Sequence, residues 1–105
     1  MKSIQPTRDI GALTGELCDA LLTPRTADEM RRLLLDLCTP SEIRALAERW
    51  HVARLLDGSD LSYRDIHEGT GVSTTTIVRV GRFLREELHK GYRRAIDALE
   101  ANNVS

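Results

Sequence analysis

The 105-residue sequence predicts an all-α fold of six helices. Three observations carry this. Apolar residues recur at spacings of three and four along most of the chain, and the strict alternation of a strand is absent. Ser or Thr followed three residues later by Glu or Asp stands at the head of several of these runs, as a helix start requires. The stretch from Leu61 to Leu84 reads as two helices joined by a tight turn at Gly71-Val72-Ser73.

Residues 1–7 carry no pattern and are expected to form a loose arm, followed by one all-α domain over 8–105. Helix one is expected from about Arg8 to Leu22, with Ile10, Leu13, Leu17 and Leu21 on one face and Pro24 ending it. Helix two starts at Thr26, where Thr26-Ala27-Asp28-Glu29 fits a capping box, and Met30, Leu33, Leu34 and Leu37 supply its apolar face. Helix three follows Thr39-Pro40-Ser41-Glu42, a cap, a proline at the first helical position and the matching Glu. Its stripe is Ile43, Leu46, Ala47, Trp50, Ala53 and Leu56, and Asp57-Gly58-Ser59 stops it. Trp50 is expected in the core by its place in that stripe.

Helix four begins at Ser62, with Asp65 three residues on, and reaches about Glu68. Helix five begins after a Ser73 cap and reaches about Glu86. Gly91 either separates it from a last helix, Tyr92 to Ala101, or falls in that helix's first turn. The spans are therefore 8–57 for helices expected to dimerise, 61–86 for a helix-turn-helix and 89–101 for a C-terminal helix. Dimerisation is expected from burial. Helices one and two are long and Leu-rich, and an all-α monomer of ~100 residues covers only about two-thirds of its unfolded surface. Pairing those faces with a second copy makes a homodimer, and a two-fold DNA reader needs one to span major grooves ~34 Å apart.

Net charge is −1, which at first argues against a nucleic-acid partner. The distribution argues the other way. Residues 73–94 hold six basic side chains (Arg79, Arg82, Arg85, Lys90, Arg93, Arg94) against two acidic ones. Residues 1–60 hold eight basic and ten acidic. Phosphates feel charge within a Debye length, ~8–10 Å, so the local excess outweighs the sum over the chain.

On helix five, Ile77, Val80 and Leu84 cluster on one side and are expected to pack on Ile66. Opposite them lie Thr75, Val78, Arg79 and Arg82, with Thr74 at the edge. Such a helix suits the major groove: arginine forks to guanine, threonine offers a hydroxyl and a methyl, and a good bidentate contact discriminates by ~1–3 kcal/mol. Ser73 leaves helix-terminal N–H groups to meet a phosphate, and Ser62, Tyr63 and Arg64 are placed to hold the backbone on the other side. His67 stands where such motifs usually hold a small residue, tolerated at the edge or reaching a phosphate. Double-stranded DNA is the expected partner; the rival reading is a dimeric helical module that binds protein and not DNA.

Two blocks then resemble the Trp repressor superfamily, within it the YerC/YecD-type, Trp-repressor-like branch. They are Leu37-Cys38-Thr39-Pro40-Ser41-Glu42 with Arg49, and Ser62-Tyr63-Arg64-Asp65-Ile66 through Thr70-Gly71-Val72-Ser73-Thr74-Thr75-Thr76-Ile77-Val78-Arg79-Val80. The resemblance implies a six-helix Trp-repressor-like fold, an intertwined homodimer, and the role of a repressor among transcriptional regulators. It also implies a ligand pocket in which Thr39, Arg49 and Arg79 fall on positions that hold tryptophan in the Trp repressor. The family's glycine and serine positions are Val80 and Phe83 here. A branched side chain at the first and an apolar ring at the second make tryptophan an unlikely effector. Either the two fill the pocket and fix the reading heads without a ligand, or a different small molecule binds near Arg49 and Arg79.

Other function classes find little support. Cys18 and Cys38 lie far apart without a CxxC, as free thiols in a reducing cytosol do. His51, His67 and His89 lack ligand spacing with them, so no metal or cofactor is expected. No glycine-flanked nucleophile, phosphate loop or carboxylate cluster marks an enzyme. No signal-like or membrane-length apolar run occurs, so a cytoplasmic protein is expected.

Overall fold

In a computed structural model, residues 4, 8–86 and 88–103 are described. The expected loose arm lies, apart from Ile4, outside these residues. Six helices follow one another among them: α1 (Ile10–Leu21), α2 (Ala27–Leu37), α3 (Pro40–Gly58), α4 (Tyr63–Thr70), α5 (Thr74–Arg85) and α6 (Gly91–Asn103). The chain divides into two compact units, one ending at Ile43 and one starting at Arg44.

The caps explain the boundaries. Thr26 accepts from the Glu29 N–H at 3.1 Å, and the Glu29 carboxylate accepts from the Arg25 N–H at 2.7 Å. The return bond of this box thus reaches one residue before the cap. At α3 the exchange is reciprocal: Thr39 Oγ1 accepts from Glu42 N–H at 3.2 Å and Glu42 accepts from Thr39 N–H at 2.8 Å. That backbone bond first, and the Thr39 side chain second, hold the Glu42 carboxyl below the usual glutamate range. Ser62 and Asp65 make the same box at α4. The end of α4 is set by Gly71, whose left-handed φ of 78° ordinary residues adopt only at a cost. Helix α6 runs from Gly91 to Asn103, one residue earlier and two later than expected, following Lys90 at φ 62°.

The core belongs to the C-terminal unit. Val52, Ala53 and Leu56 of α3, Ile66 of α4, Val72 of the turn, Ile77, Val80 and Leu84 of α5, and Ile96 of α6 are buried, with Trp50, Leu55, Tyr63 and Tyr92 packed against them. Burying a Val, Leu or Ile side chain fully is worth ~1.5–3 kcal/mol. The expected stripe of α3 is only half right. Ala53 and Leu56 are buried, Leu46 is 47% exposed, and Val52, outside the stripe, is wholly buried. Apolar residues stand on more than one side of α3, so periodicity alone does not choose the face. Arg93 of α6 bonds Asp57 of α3 and, at 3.2 Å, Asp97 one turn on, and these bonds raise its pKa further.

The N-terminal unit is different. No described residue of α1 or α2 is buried, and Ile10, Leu17, Leu22, Leu35 and Leu37 are 42–81% exposed.

Candidate DNA-reading site and adjoining cavity

The turn between α4 and α5 is held by local bonds. Gly71 N–H donates to the His67 carbonyl at 2.9 Å, and Val72 N–H donates to Thr70 Oγ1 at 3.1 Å. His67 Nδ1 lies 2.7 Å from the Val72 carbonyl. A carbonyl only accepts, so this nitrogen carries the hydrogen. Histidine is tolerated here because its ring lies at the exposed edge and clasps the turn. Ser73 Oγ then accepts from Thr76 N–H at 3.2 Å. The first backbone bond of α5 runs from Ile77 to Ser73, which leaves the N–H groups of Thr74 and Thr75 ahead of the helical ladder.

Helix α5 separates its two faces. Ile77, Val80, Gly81 and Leu84 are buried, with Ile66 of α4 in the same cluster. Thr74, Thr75, Val78, Arg79 and Arg82 are exposed, Val78 at 54%. Arg64 and Arg82 are exposed and lean on Glu68 (3.1 Å) and Glu86 (3.4 Å) one turn on. Such surface pairs are worth ~0.3–0.5 kcal/mol and yield readily to a phosphate. Ser62 is exposed, with its hydroxyl engaged in the α4 cap. Tyr63 departs from its neighbours. It is half-buried, packs against the core, and accepts a hydrogen bond from Arg85 at 3.3 Å.

Beside the core, the C-terminal unit holds a cavity of about 580 Å³. Arg49, Arg79 and Phe83 line it, as do Trp50, His89 and Tyr92. The Phe83 ring stacks on His89 at 5.9 Å, and the Arg79 guanidinium lies 4.7 Å from the Phe83 ring centre. Arg79 therefore stands both on the exposed face of α5 and at the cavity wall. Trp50 stacks with Tyr92 at 6.4 Å. Its expected place in the core is thus refined: it packs against the core and lines the cavity as well. Val80 needs a correction. Its side chain does not project into the cavity but lies in the core, 1% exposed, because the helical turn from Arg79 to Val80 rotates it inward. Thr39 belongs to the N-terminal unit, where its hydroxyl caps α3. His89, Lys90 and Tyr92 carried no sequence signal for this cavity, since they reach it only when α6 turns back at Lys90.

The profile of the Trp repressor protein family matches residues 13–100 of the chain. The chain belongs to this family. Within it, the chain is 38% identical over 90 residues to the Bacillus subtilis (strain 168) protein YerC, covering 86% of this chain and 85% of YerC. The crystal structure of a TrpR-like protein from Eubacterium eligens ATCC 27750 superposes with a TM-score of 0.77 at 37% identity, covering 85% of this chain and 90% of the other. A second solved structure, from Staphylococcus aureus, gives 0.78 at 35% identity, covering 93% and 96%. The all-α, six-helix expectation thus holds as a Trp-repressor-like fold of the YerC type. The Trp repressor family is a family of helical regulators rather than of enzymes. Among the described residues of this member, no helix is long and apolar enough to cross a membrane.

Proposed function

We propose that this chain is a sequence-specific DNA-binding transcriptional regulator, a repressor, that acts as a homodimer and reads the major groove with α5. One observation carries the reading: the buried face of α5 anchors it on the core while Thr74, Thr75, Val78, Arg79 and Arg82 stand exposed together on the other face. Arginine and threonine are the side chains that fork to guanine and meet thymine methyl groups. Ser73, Ser62, Arg64 and the edge at His67 flank this face and fit the phosphate backbone. The homodimer is supported by α1 and α2, which bury no residue within one chain. In a dimer these helices, within 8–57, form the shared core and set two copies of α5 one turn of DNA apart.

The same reading makes tryptophan an unlikely effector. Phe83 puts an apolar ring on the cavity wall, with His89 stacked on it and Arg79 drawn over it. The cations Arg49 and Arg79 stay within reach of an acidic small molecule, so a different effector fits better than a zwitterionic indole. The protein acts in the cytoplasm, which suits two free cysteines.

Selection from random duplex oligonucleotides with purified protein tests this reading and gives the site. Enrichment of a two-fold motif is expected, with affinity falling steeply as salt rises. Absence of any DNA complex at low salt overturns it in favour of a protein-binding module. Calorimetry with L-tryptophan is expected to give no saturable heat.

A further inference from the structure

Gly81 is the one glycine of α5 and it is buried. Glycine inside a helix costs ~0.5–1 kcal/mol relative to alanine. Its backbone gives no reason for it, because Gly71 is the glycine with positive φ among the described residues. Space gives the reason. A Cβ at position 81 would overlap Tyr63 Oη and lie 3.0 Å from Tyr63 Cζ and 3.6 Å from Leu56 Cδ1. Tyr63 is the first residue of α4, so its backbone is fixed by the Ser62–Asp65 capping box. One turn beyond Gly81, Arg85 Nη1 donates to the same Tyr63 hydroxyl at 3.3 Å, and its guanidinium carbon lies 5.3 Å from the ring centre.

We infer that Tyr63 is a positioning residue for the reading helix: its ring lies in the notch that Gly81 leaves, Arg85 closes over it, and together they fix how α5 is seated on α4. This inference rests on the DNA-reading proposal and deepens it. Gly81 belongs to the buried side of α5 and Arg79 and Arg82 to its exposed side, so the seating of the helix sets where the two arginines aim. A turn of α5 by one residue would bring Val80 or Arg82 onto the tyrosine ring, which the notch cannot hold. Tyr63, placed by sequence at the DNA backbone, therefore acts through α5, and Arg85 is engaged by its ring.

The test is a double-substitution cycle, Gly81→Ala, Tyr63→Phe and the pair, on the full chain. Gly81→Ala forces the ring out of the notch. It is expected to lower affinity for the selected site on the order of tenfold more than affinity for random duplex. Tyr63→Phe removes only the atom that overlaps, so in the pair it is expected to restore most of what Gly81→Ala loses. Amide chemical shifts of α5 in DNA-free protein are expected to move in Gly81→Ala and return in the pair, which reads the seating without DNA. Should the natural chain bind no DNA, the DNA-reading proposal falls and the shifts still decide the seating. Equal loss on selected and random DNA overturns the positioning role. A phosphate contact by Tyr63 would show as weaker binding in Tyr63→Phe with no rescue, and that outcome overturns it too. Should Gly81→Ala fail to fold, a folded pair supports the notch and an unfolded pair overturns it.

Discussion

The two units of this chain use similar residues to opposite effect. Both are helical and draw on Leu, Ile and Ala, and both carry side-chain helix caps, Thr26 and Thr39 in the first, Ser62 and Ser73 in the second. Among the described residues, the C-terminal unit closes on a core of nine buried apolar side chains drawn from α3, the α4–α5 pair and α6. The N-terminal unit has α1 and α2 with no buried residue, although their apolar positions are spaced for a face. Capping and periodicity make a helix, but they do not supply something to pack on. The C-terminal unit carries its own core, and the N-terminal helices have theirs supplied by a second copy in the proposed dimer.

Substitutions can break this contrast. Ile77→Ala removes a wholly buried side chain from the C-terminal unit and is expected to cost ~2–5 kcal/mol in urea unfolding. A cost under 1 kcal/mol would mean that this unit is less tightly packed than its burial implies. Leu37→Glu sits at a half-exposed position of the N-terminal unit. A merely solvated site would tolerate it within about ±0.5 kcal/mol. In a dimer it removes ~1.5–3 kcal/mol of burial from each protomer and shifts sedimentation toward the monomer. Unchanged sedimentation would remove the contrast between the units.

Arg79→Ala and Arg82→Ala sharpen it from the other side. Each is expected to weaken binding to the selected site by ~1–3 kcal/mol while the oligomeric state stays the same. Equal affinity in both variants would separate the reading face from DNA. The smallest effect is expected at Glu42. Its pKa is lowered in the fold, so its stabilisation is fully present above the ordinary glutamate range and is lost as pH falls through the depressed value. Glu42→Gln should flatten that acid limb of helicity, as followed by circular dichroism.

Much of the site was legible in the sequence because its signals are local. Ser73 three residues before Thr76, Gly71 at the end of α4, and the split of Ile77, Val80 and Leu84 from Thr75, Val78, Arg79 and Arg82 all fall within one or two helical turns. His67 resisted because its bond reaches across the turn to Val72, five residues on. Tyr63 resisted for a stronger reason. Its partner Arg85 is 22 residues away, and the space it fills is marked only by a missing side chain at Gly81.

The sequence by itself determined six helices, the caps that start α2 to α5, the turn between α4 and α5 and the exposed face of α5, since each depends on backbone bonds and side-chain spacing within a few residues. Tertiary structure alone decided which side of α3 is buried, that Val80 stays in the core and does not also enter the cavity, and that Tyr63 rests in the notch at Gly81. Those outcomes depend on which side chains from distant helices compete for the same volume, and a linear pattern does not record volume.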